Sequence, residues 1–463
     1  MKINVFFVAA AAAVSAFALE ARTFEVAAWR GETVAARVPD FAEVGQAPDG
    51  LKVRFGVLKS VKYAPTPESL QRLEVYDRVK WGSDDEGPRV VEVSVPADAK
   101  PGVYACGMMN VRVVDRVLPS AKEWKYYLDL WQHPWATARV AKAKPFSKKH
   151  YDAMRPVYEL LASAGQKTIT VPILDQPWDH QCFDAYHSMV DDADFRTFDA
   201  YVKFCLDCGL GPDISCYSLC PWTLGRTIDE KELEKRWGAF LDRFAAHLKE
   251  KGWYKQTLMA MDERAPEDVA KVASFVRRHA PGMRISMAGN RKPSDFKGID
   301  IDVYAQLLNY VTDDFIAEVS ARRAKGFVTT HYVCCGPAYP NTFMSSGPGE
   351  AFWLGAYPAM VGLDGFLRWA WNSWPQDPRE DATYWNWTPG DTFLCYPDGE
   401  PSWRFLELRN GIVAAEKIRI LKEQGLLADE LAKVAALYKR AEAVANRSNF
   451  TRIREETLKI VNK

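Results

Sequence analysis

Thr257-Leu258-Met259-Ala260-Met261-Asp262-Glu263-Arg264 runs an apolar stretch straight into two carboxylates, and Ala265-Pro266-Glu267-Asp268 follows at once. A short apolar run closed by a turn reads as a buried strand. Proline and acidic residues directly after it read as the first turn of a helix. Strand handing over to helix is the βα unit, and the same pattern recurs on both sides of this stretch. Strands are expected at 126–133, 168–175, 213–219, 257–263, 285–290, 302–308, 327–335 and 365–374. Amphipathic helices are expected at 150–164, 195–208, 231–251, 266–279, 312–325 and 350–361, while the fifth crossover, 291–298, is too short for a full helix. Eight strands with helical crossovers predict an α/β fold of the (β/α)8 TIM-barrel type. An open doubly wound sheet is the competing arrangement, but no Gly-rich phosphate loop follows the first strand.

Outside the barrel the periodicity changes. Short strands at 24–27, 33–38, 53–57, 90–95 and 103–114, separated by turn residues such as Gln46-Ala47-Pro48-Asp49-Gly50, predict an N-terminal β-sandwich over 19–120. The barrel then spans 121–402. Beyond it, helices at 404–421, 428–446 and 453–461 predict a C-terminal helical appendage over 403–463. Lys2, the apolar run 4–18 and Ala16-Phe17-Ala18 have the form of a signal peptide over 1–18. Export to a periplasm or the cell exterior is therefore expected. No later run reaches the length of a membrane span, so no membrane insertion is expected.

The chain carries 60 basic and 60 acidic residues. Such neutrality gives no electrostatic hold on a polyanion, so nucleic acid is not an expected partner. Oligomeric state leaves no mark on the sequence. Of the nine cysteines, Cys205, Cys208, Cys216 and Cys220 have a loose zinc-like spacing, but no second tight pair supports it. They read as buried thiols in the barrel wall, with room for a disulfide.

Barrel enzymes work at the C-terminal ends of their strands. Nine of the 16 tryptophans fall at those predicted ends or in the loops after them, among them Trp131, Trp178, Trp222, Trp369, Trp371 and Trp387. An apolar ring face at the barrel mouth suits a sugar ring, with acids and amides for its hydroxyls. His133 near Asp129, and His180 near Asp175 and Asp179, fit hydroxyl binding better than metal ligation. No metal or other cofactor is expected.

Glycosidic cleavage needs a proton donor for the leaving oxygen and, in most enzymes, a second carboxylate opposite it. The seventh predicted strand, through His331-Tyr332, carries no acid; the adjacent acidic pair at a strand end is Asp262-Glu263. Neighbours on a regular strand point to opposite faces, and even at a strand end they cannot flank one carbon from two sides. The pair suits a reaction in which the substrate supplies its own nucleophile through a 2-acetamido carbonyl.

Tyr127-Leu128-Asp129-Leu130-Trp131-Gln132-His133-Pro134, Met259 to Arg264, and Gly362 through Arg368-Trp369-Ala370-Trp371-Asn372-Ser373-Trp374 resemble glycoside hydrolase family 123. Gly390-Asp391-Thr392-Phe393 and the helix over 404–421 extend the resemblance over nearly the whole chain after the leader. It implies a β-N-acetylgalactosaminidase that retains configuration through an oxazoline. By position, Asp262 would orient the acetamido group and Glu263 would be the general acid/base. Glu263 in that role needs a carboxyl that keeps its proton at neutral pH, through burial and its anionic neighbour. His133, Trp178, Tyr304, Tyr332, Trp369, Trp371 and Asn372 are the residues expected to bind a GalNAc-containing glycan. A β-hexosaminidase of wider or GlcNAc specificity, and a non-catalytic glycan-binding protein, are the alternatives.

Overall fold

A computed structural model describes residues 23–40, 42–66, 68–178, 182–190, 194–219, 229–439 and 443–463. The expected leader over 1–18, and with it Asp179, His180, Cys220 and Trp222, lies outside the described residues.

The N-terminal region is built of β1 (Phe24–Arg30), β2 (Thr33–Arg37), β3 (Lys52–Tyr63), β4 (Leu73–Trp81), β5 (Arg89–Ser94), β6 (Gly102–Cys106) and β7 (Met109–Val117). They form two sheets, ordered β1-β7-β6 and β2-β5-β3-β4. Val26, Ala28, Val111 and Val113 of one sheet meet Val91 and Val93 of the other in a shared core. Val90 on the opposite face of β5 belongs to the barrel's core instead, so this strand is buried on both sides. The single strand expected over 103–114 is a hairpin broken at Gly107. Its φ of +64° suits glycine, and a Cβ there would stand 2.5 Å from the Gly45 nitrogen.

The barrel comprises β8 (Tyr127–Leu130), α1 (Pro134–Val140), α2 (Lys148–Ala162), β9 (Thr168–Pro172), α3 (Arg196–Asp207), β10 (Asp213–Tyr217), α4 (Glu230–Glu250) and β11 (Thr257–Asp262). It continues with α5 (Pro266–His279), β12 (Arg284–Gly289), β13 (Val303–Leu307), α6 (Asp313–Ala324), β14 (Val328–Val333), α7 (Pro348–Val361), β15 (Gly365–Arg368) and α8 (Trp403–Glu423). The strands are all parallel, in the order β8-β15-β14-β13-β12-β11-β10-β9. Only an isolated bridge, Leu128 to Gln166, joins β8 to the β9 side, so the ring is nearly closed. The Gln166 side chain stands in for the missing ladder there, accepting from the Leu130 nitrogen at 2.9 Å and donating to the Thr168 carbonyl at 2.9 Å. At the other side of β8, Gly365 comes so close that a Cβ would sit 1.9 Å from the Tyr127 carbonyl oxygen. The short fifth crossover carries only a 3-10 turn at Pro293–Asp295. Among the described residues, the helices α9 (Ala428–Leu437) and α10 (Ser448–Val461) follow.

Helix α8 opens the C-terminal helical region expected from residue 403. It packs along α7 and against the sandwich, with 17 of its 21 residues buried. Three of the buried residues are basic, and each meets an acid of the sandwich. Arg404 pairs with Asp77 at 3.0 Å, Arg409 with Glu92 at 2.5 Å and Lys417 with Glu32 at 2.5 Å. Arg404 does more. It donates to Gly390 at 3.0 Å, to Phe393 at 3.1 Å and to Thr342 at 2.5 Å, tying the loops after β14 and β15 to the helix. Tyr396 completes the Asp77 site with a 2.6 Å hydrogen bond.

Removing one member of a buried pair strands the other charge, which costs about 3–5 kcal/mol. Arg404→Met and Asp77→Leu are each expected to lower the thermal unfolding midpoint sharply. The double replacement, which strands no charge, is expected to recover most of that loss in the same melt.

Candidate active site

Strand β11 delivers the acidic pair. Asp262 is its last residue, in register with Ala288 of β12. Glu263 then takes φ +45°, a left-handed backbone that a non-glycine residue adopts at a cost of about 1–3 kcal/mol. Its N–H still donates to the Ala288 carbonyl at 2.8 Å, so the turn is anchored to the sheet. This turn resolves the problem of adjacency. It breaks strand alternation at the one place where both carboxyl groups can enter the same space.

That space is a cavity of about 190 Å³ at the C-terminal mouth of the barrel. Asp262 and Glu263 are the carboxylates among its lining residues; Trp131, Trp178, Trp369, Trp387 and Tyr332 supply aromatic surface, and Cys334 and Cys335 two thiols. The volume is below the roughly 300 Å³ at which drug-sized ligand pockets begin, a size for one sugar ring rather than a chain of them. Trp131 and Trp178 stack with centroids 4.9 Å apart, backed by Tyr217 at 4.7 Å and 4.8 Å. Trp369 and Trp387, also lining the cavity, touch each other with centroids 5.0 Å apart.

Burial, and then the neighbouring charge of Glu263, push the Asp262 carboxyl well above the usual carboxylate range. Glu263 accepts a 2.5 Å hydrogen bond from the Tyr332 hydroxyl, the short length typical of a hydroxyl on a carboxylate. Tyr332 faces the barrel interior because strand side chains alternate; His331, the residue before it, packs outward against Tyr357 and Phe366.

A buried ion pair stands behind the cavity. Arg368 and Asp391, both wholly inaccessible, are 2.7 Å apart. Asp391 also accepts from the Trp369 indole at 3.1 Å, and Arg368 donates to the Val333 carbonyl at 3.2 Å and the Asn341 side chain at 3.1 Å. The pair thus fixes one wall aromatic and the loop after β14 together. Asp391 lies in the Gly390-Asp391-Thr392-Phe393 motif and Arg368 in the strand-eight motif, but no residue pattern announced that they meet.

Of the expected site residues, Asp262, Glu263, Trp178, Tyr332 and Trp369 come together in the cavity. Four do not line it. His133 is buried, stacked on Tyr186 at 3.8 Å, and burial lowers its pKa to about 3, so it is neutral at ordinary pH. Asn372 accepts from the His133 N–H at 2.8 Å and donates to its carbonyl at 3.0 Å, splicing the first and eighth loops together. Trp371 packs edge-on against Phe405 of α8 at 4.8 Å. Tyr304 is buried under the fifth loop, its hydroxyl donating to the Arg291 carbonyl at 2.5 Å. Trp131 and Trp387, not singled out as ligands from sequence, do line the cavity. Cys205, Cys208 and Cys216 are buried free thiols, and no group of three metal-ligating side chains occurs among the described residues.

The fold has a counterpart among solved structures. One solved structure, described as a family 123 glycoside hydrolase from Clostridium perfringens studied for glycolipid glycan hydrolysis, superposes with a TM-score of 0.80. It shares 22% identity, with 95% of this chain and 94% of that chain covered. A glucosidase from Croceicoccus marinus matches at a TM-score of 0.38 and 12% identity, over 65% of this chain and 69% of that one. A family 5 mannosidase from Rhizomucor miehei matches at 0.33 and 10%, over 64% and 94%. Scores that low carry no argument. Among curated proteins there is no significant match. The profile of the glycoside hydrolase 123 catalytic domain matches residues 131–421, from the first strand end through most of α8. The match spans more than half the chain and takes in both carboxylates, the aromatic walls and the Arg368–Asp391 pair: the chain belongs to glycoside hydrolase family 123.

Proposed function

We propose that this glycoside hydrolase removes terminal β-linked N-acetylgalactosamine by a retaining mechanism in which the substrate's own acetamido group is the nucleophile. The observation that carries the reading is the delivery of two adjacent carboxylates, and no other acid among the described lining residues, into a cavity sized for one ring. A water-using or directly attacking carboxylate would have to approach the anomeric carbon from the far side, and the described wall facing the pair is aromatic.

In the proposed sequence the pyranose stacks on the tryptophans and its acetamido N–H donates to Asp262. The acetamido carbonyl oxygen attacks C1 from below while Glu263 protonates the departing oxygen. Water, deprotonated by Glu263, then opens the oxazoline at C1, and two inversions give net retention. Asp262 gains most at the transition state. Its burial disfavours negative charge in the empty site, and the positive oxazolinium restores it, so the interaction strengthens as the reaction proceeds. One proton shared by the pair is enough: held on Asp262 in the empty site, it is available to Glu263 once substrate lends Asp262 its amide hydrogen.

Glu263→Gln removes the proton donor, and a fall in kcat of about 100- to 10,000-fold is expected. The loss is expected to be smaller for aryl leaving groups, which need little protonation, than for alkyl or sugar ones. Unchanged hydrolysis of both would overturn the assignment. Side-by-side rates on aryl β-GalNAc, β-GlcNAc and β-Gal glycosides test the substrate. β-Gal, which lacks the internal nucleophile, is expected to be inert, and preference for β-GlcNAc would overturn the GalNAc assignment alone.

Asp262→Asn tests the raised carboxyl through stability. Below the ordinary carboxylate pKa of about 3.9 the group is neutral in both states and costs nothing. As pH rises, the unfolded chain ionises first and the folded state loses stability until pH passes the raised folded value. Asp262→Asn is therefore expected to melt above the wild type at about pH 8 and to match it near pH 3, while losing turnover of 2-acetamido substrates.

A further inference from the structure

Two consecutive cysteines, Cys334 and Cys335, follow strand β14 directly, and both line the cavity that holds the acids. Cys335 is exposed and Cys334 partly so, and their sulfurs are 3.8 Å apart, within hydrogen-bonding range. Five other described thiols, Cys106, Cys205, Cys208, Cys216 and Cys395, are buried, and Cys182 is partly so. Neither sulfur has a place in glycosidic cleavage by the pair of acids. The Cys334 thiol, by hydrogen bonding to its neighbour, lowers the Cys335 pKa, although Asp391 and Glu263 nearby push the other way. Cys335 is thus the accessible, more acidic sulfur and Cys334 the sulfur beside it, the arrangement of an attacking and a resolving thiol.

We propose that Cys334 and Cys335 are a redox-active dithiol in the wall of the sugar pocket, that a small-molecule disulfide oxidises them to a vicinal disulfide, and that the closed form turns substrate over poorly. The Cys335 thiolate attacks one sulfur of the oxidant, its S–S bond breaks, and a thiolate leaves. The Cys334 sulfur then attacks the Cys335 sulfur of the mixed disulfide, expelling the second thiolate. The two protons of the cysteines end on the two departing thiols, and the two electrons pass to the oxidant.

The consequence for the site follows from what the segment touches. A disulfide is about 2.05 Å long, so closure draws the sulfurs together by roughly 1.7 Å. Tyr332, whose hydroxyl holds Glu263, is two residues before Cys334. The Cys334 carbonyl accepts from the Asn341 side chain at 3.0 Å, and Asn341 in turn accepts from Arg368 at 3.1 Å, the partner of Asp391. Movement at Cys334 therefore reaches the proton donor on one side and, through Asp391, Trp369 on the other.

The test uses the full chain, reduced and then treated with oxidised glutathione. Peptide mass analysis is expected to show the peptide spanning both cysteines lighter by two hydrogens, without glutathione attached. Turnover of an aryl 2-acetamido glycoside is expected to fall at least about tenfold, since displacements near 1 Å at a catalytic group cost up to about 100-fold, and dithiothreitol is expected to restore it. Cys334→Ser is expected to trap a stable glutathione adduct on Cys335. Cys335→Ser is expected to show no loss of hydrogens and equal rates before and after treatment, whatever its basal rate. Retention of both thiols, a persistent adduct on the unsubstituted protein, or closure with an unchanged rate would each overturn the proposal. The turnover arm rests on the proposed glycosidase activity. If no glycoside is turned over in either redox state, that activity reading fails, while the mass change still decides whether the dithiol closes.

Discussion

Two loops at the mouth of this barrel, those after β14 and β15, are held by a helix at its side. Arg404 of α8 is buried, and its guanidinium meets Asp77 of the sandwich and the Thr342, Gly390 and Phe393 carbonyls of two active-site loops. A guanidinium offers five donors in a fixed plane, which lets one side chain hold several loops in a single geometry. Arg409 and Lys417 repeat the pairing with Glu92 and Glu32 farther along the helix. Such pairs gain little over apolar packing in net stability, because desolvation consumes most of the Coulomb attraction. Their effect is selectivity of position: a slipped helix would bury three unpaired cations. The sandwich is thus fixed to the barrel through the same helix that carries the loops.

From that anchor the chain of constraint runs inward. Arg404 holds the backbone at Gly390 and Phe393; between them Asp391 meets Arg368 and the Trp369 indole. Arg368 holds the start of the loop that carries Cys334 and Cys335. On the opposite wall, the left-handed turn at Glu263 aims two neighbouring carboxyl groups into the cavity, and Tyr332 restrains one of them. Strain at one residue and a raised carboxyl at its neighbour are unfavourable to folding. Both fall in the cavity, and strain and perturbed carboxyl groups concentrate at functional sites.

Much of this was legible in the sequence for simple reasons. Strand and helix periodicities differ, so the alternating pattern revealed the βα units, and Pro266 with its acidic neighbours marked the start of α5 within a residue. Strand β4 left weaker traces, since Asp77 interrupts the apolar register of Leu73, Val75, Val79 and Trp81, and Asp77 is polar because it meets a cation rather than water. Trp178, Tyr332 and Trp369 followed from counting along strands to their ends. His133, Tyr304, Trp371 and Asn372 occupy equally suggestive positions and point elsewhere. A strand end fixes the neighbourhood of a side chain; the following loop decides its direction.

By itself the sequence determined the barrel, its sandwich and the pairing of Asp262 with Glu263, because hydrophobic period and residue order are local properties of the chain. Tertiary structure alone decided which carboxyl burial raises, which aromatics wall the cavity, and that α8 is the buried core of the domain junction. Those outcomes depend on what each group meets across the fold. Arg404 and Asp77, separated by more than three hundred residues, become one site only once both leave water together.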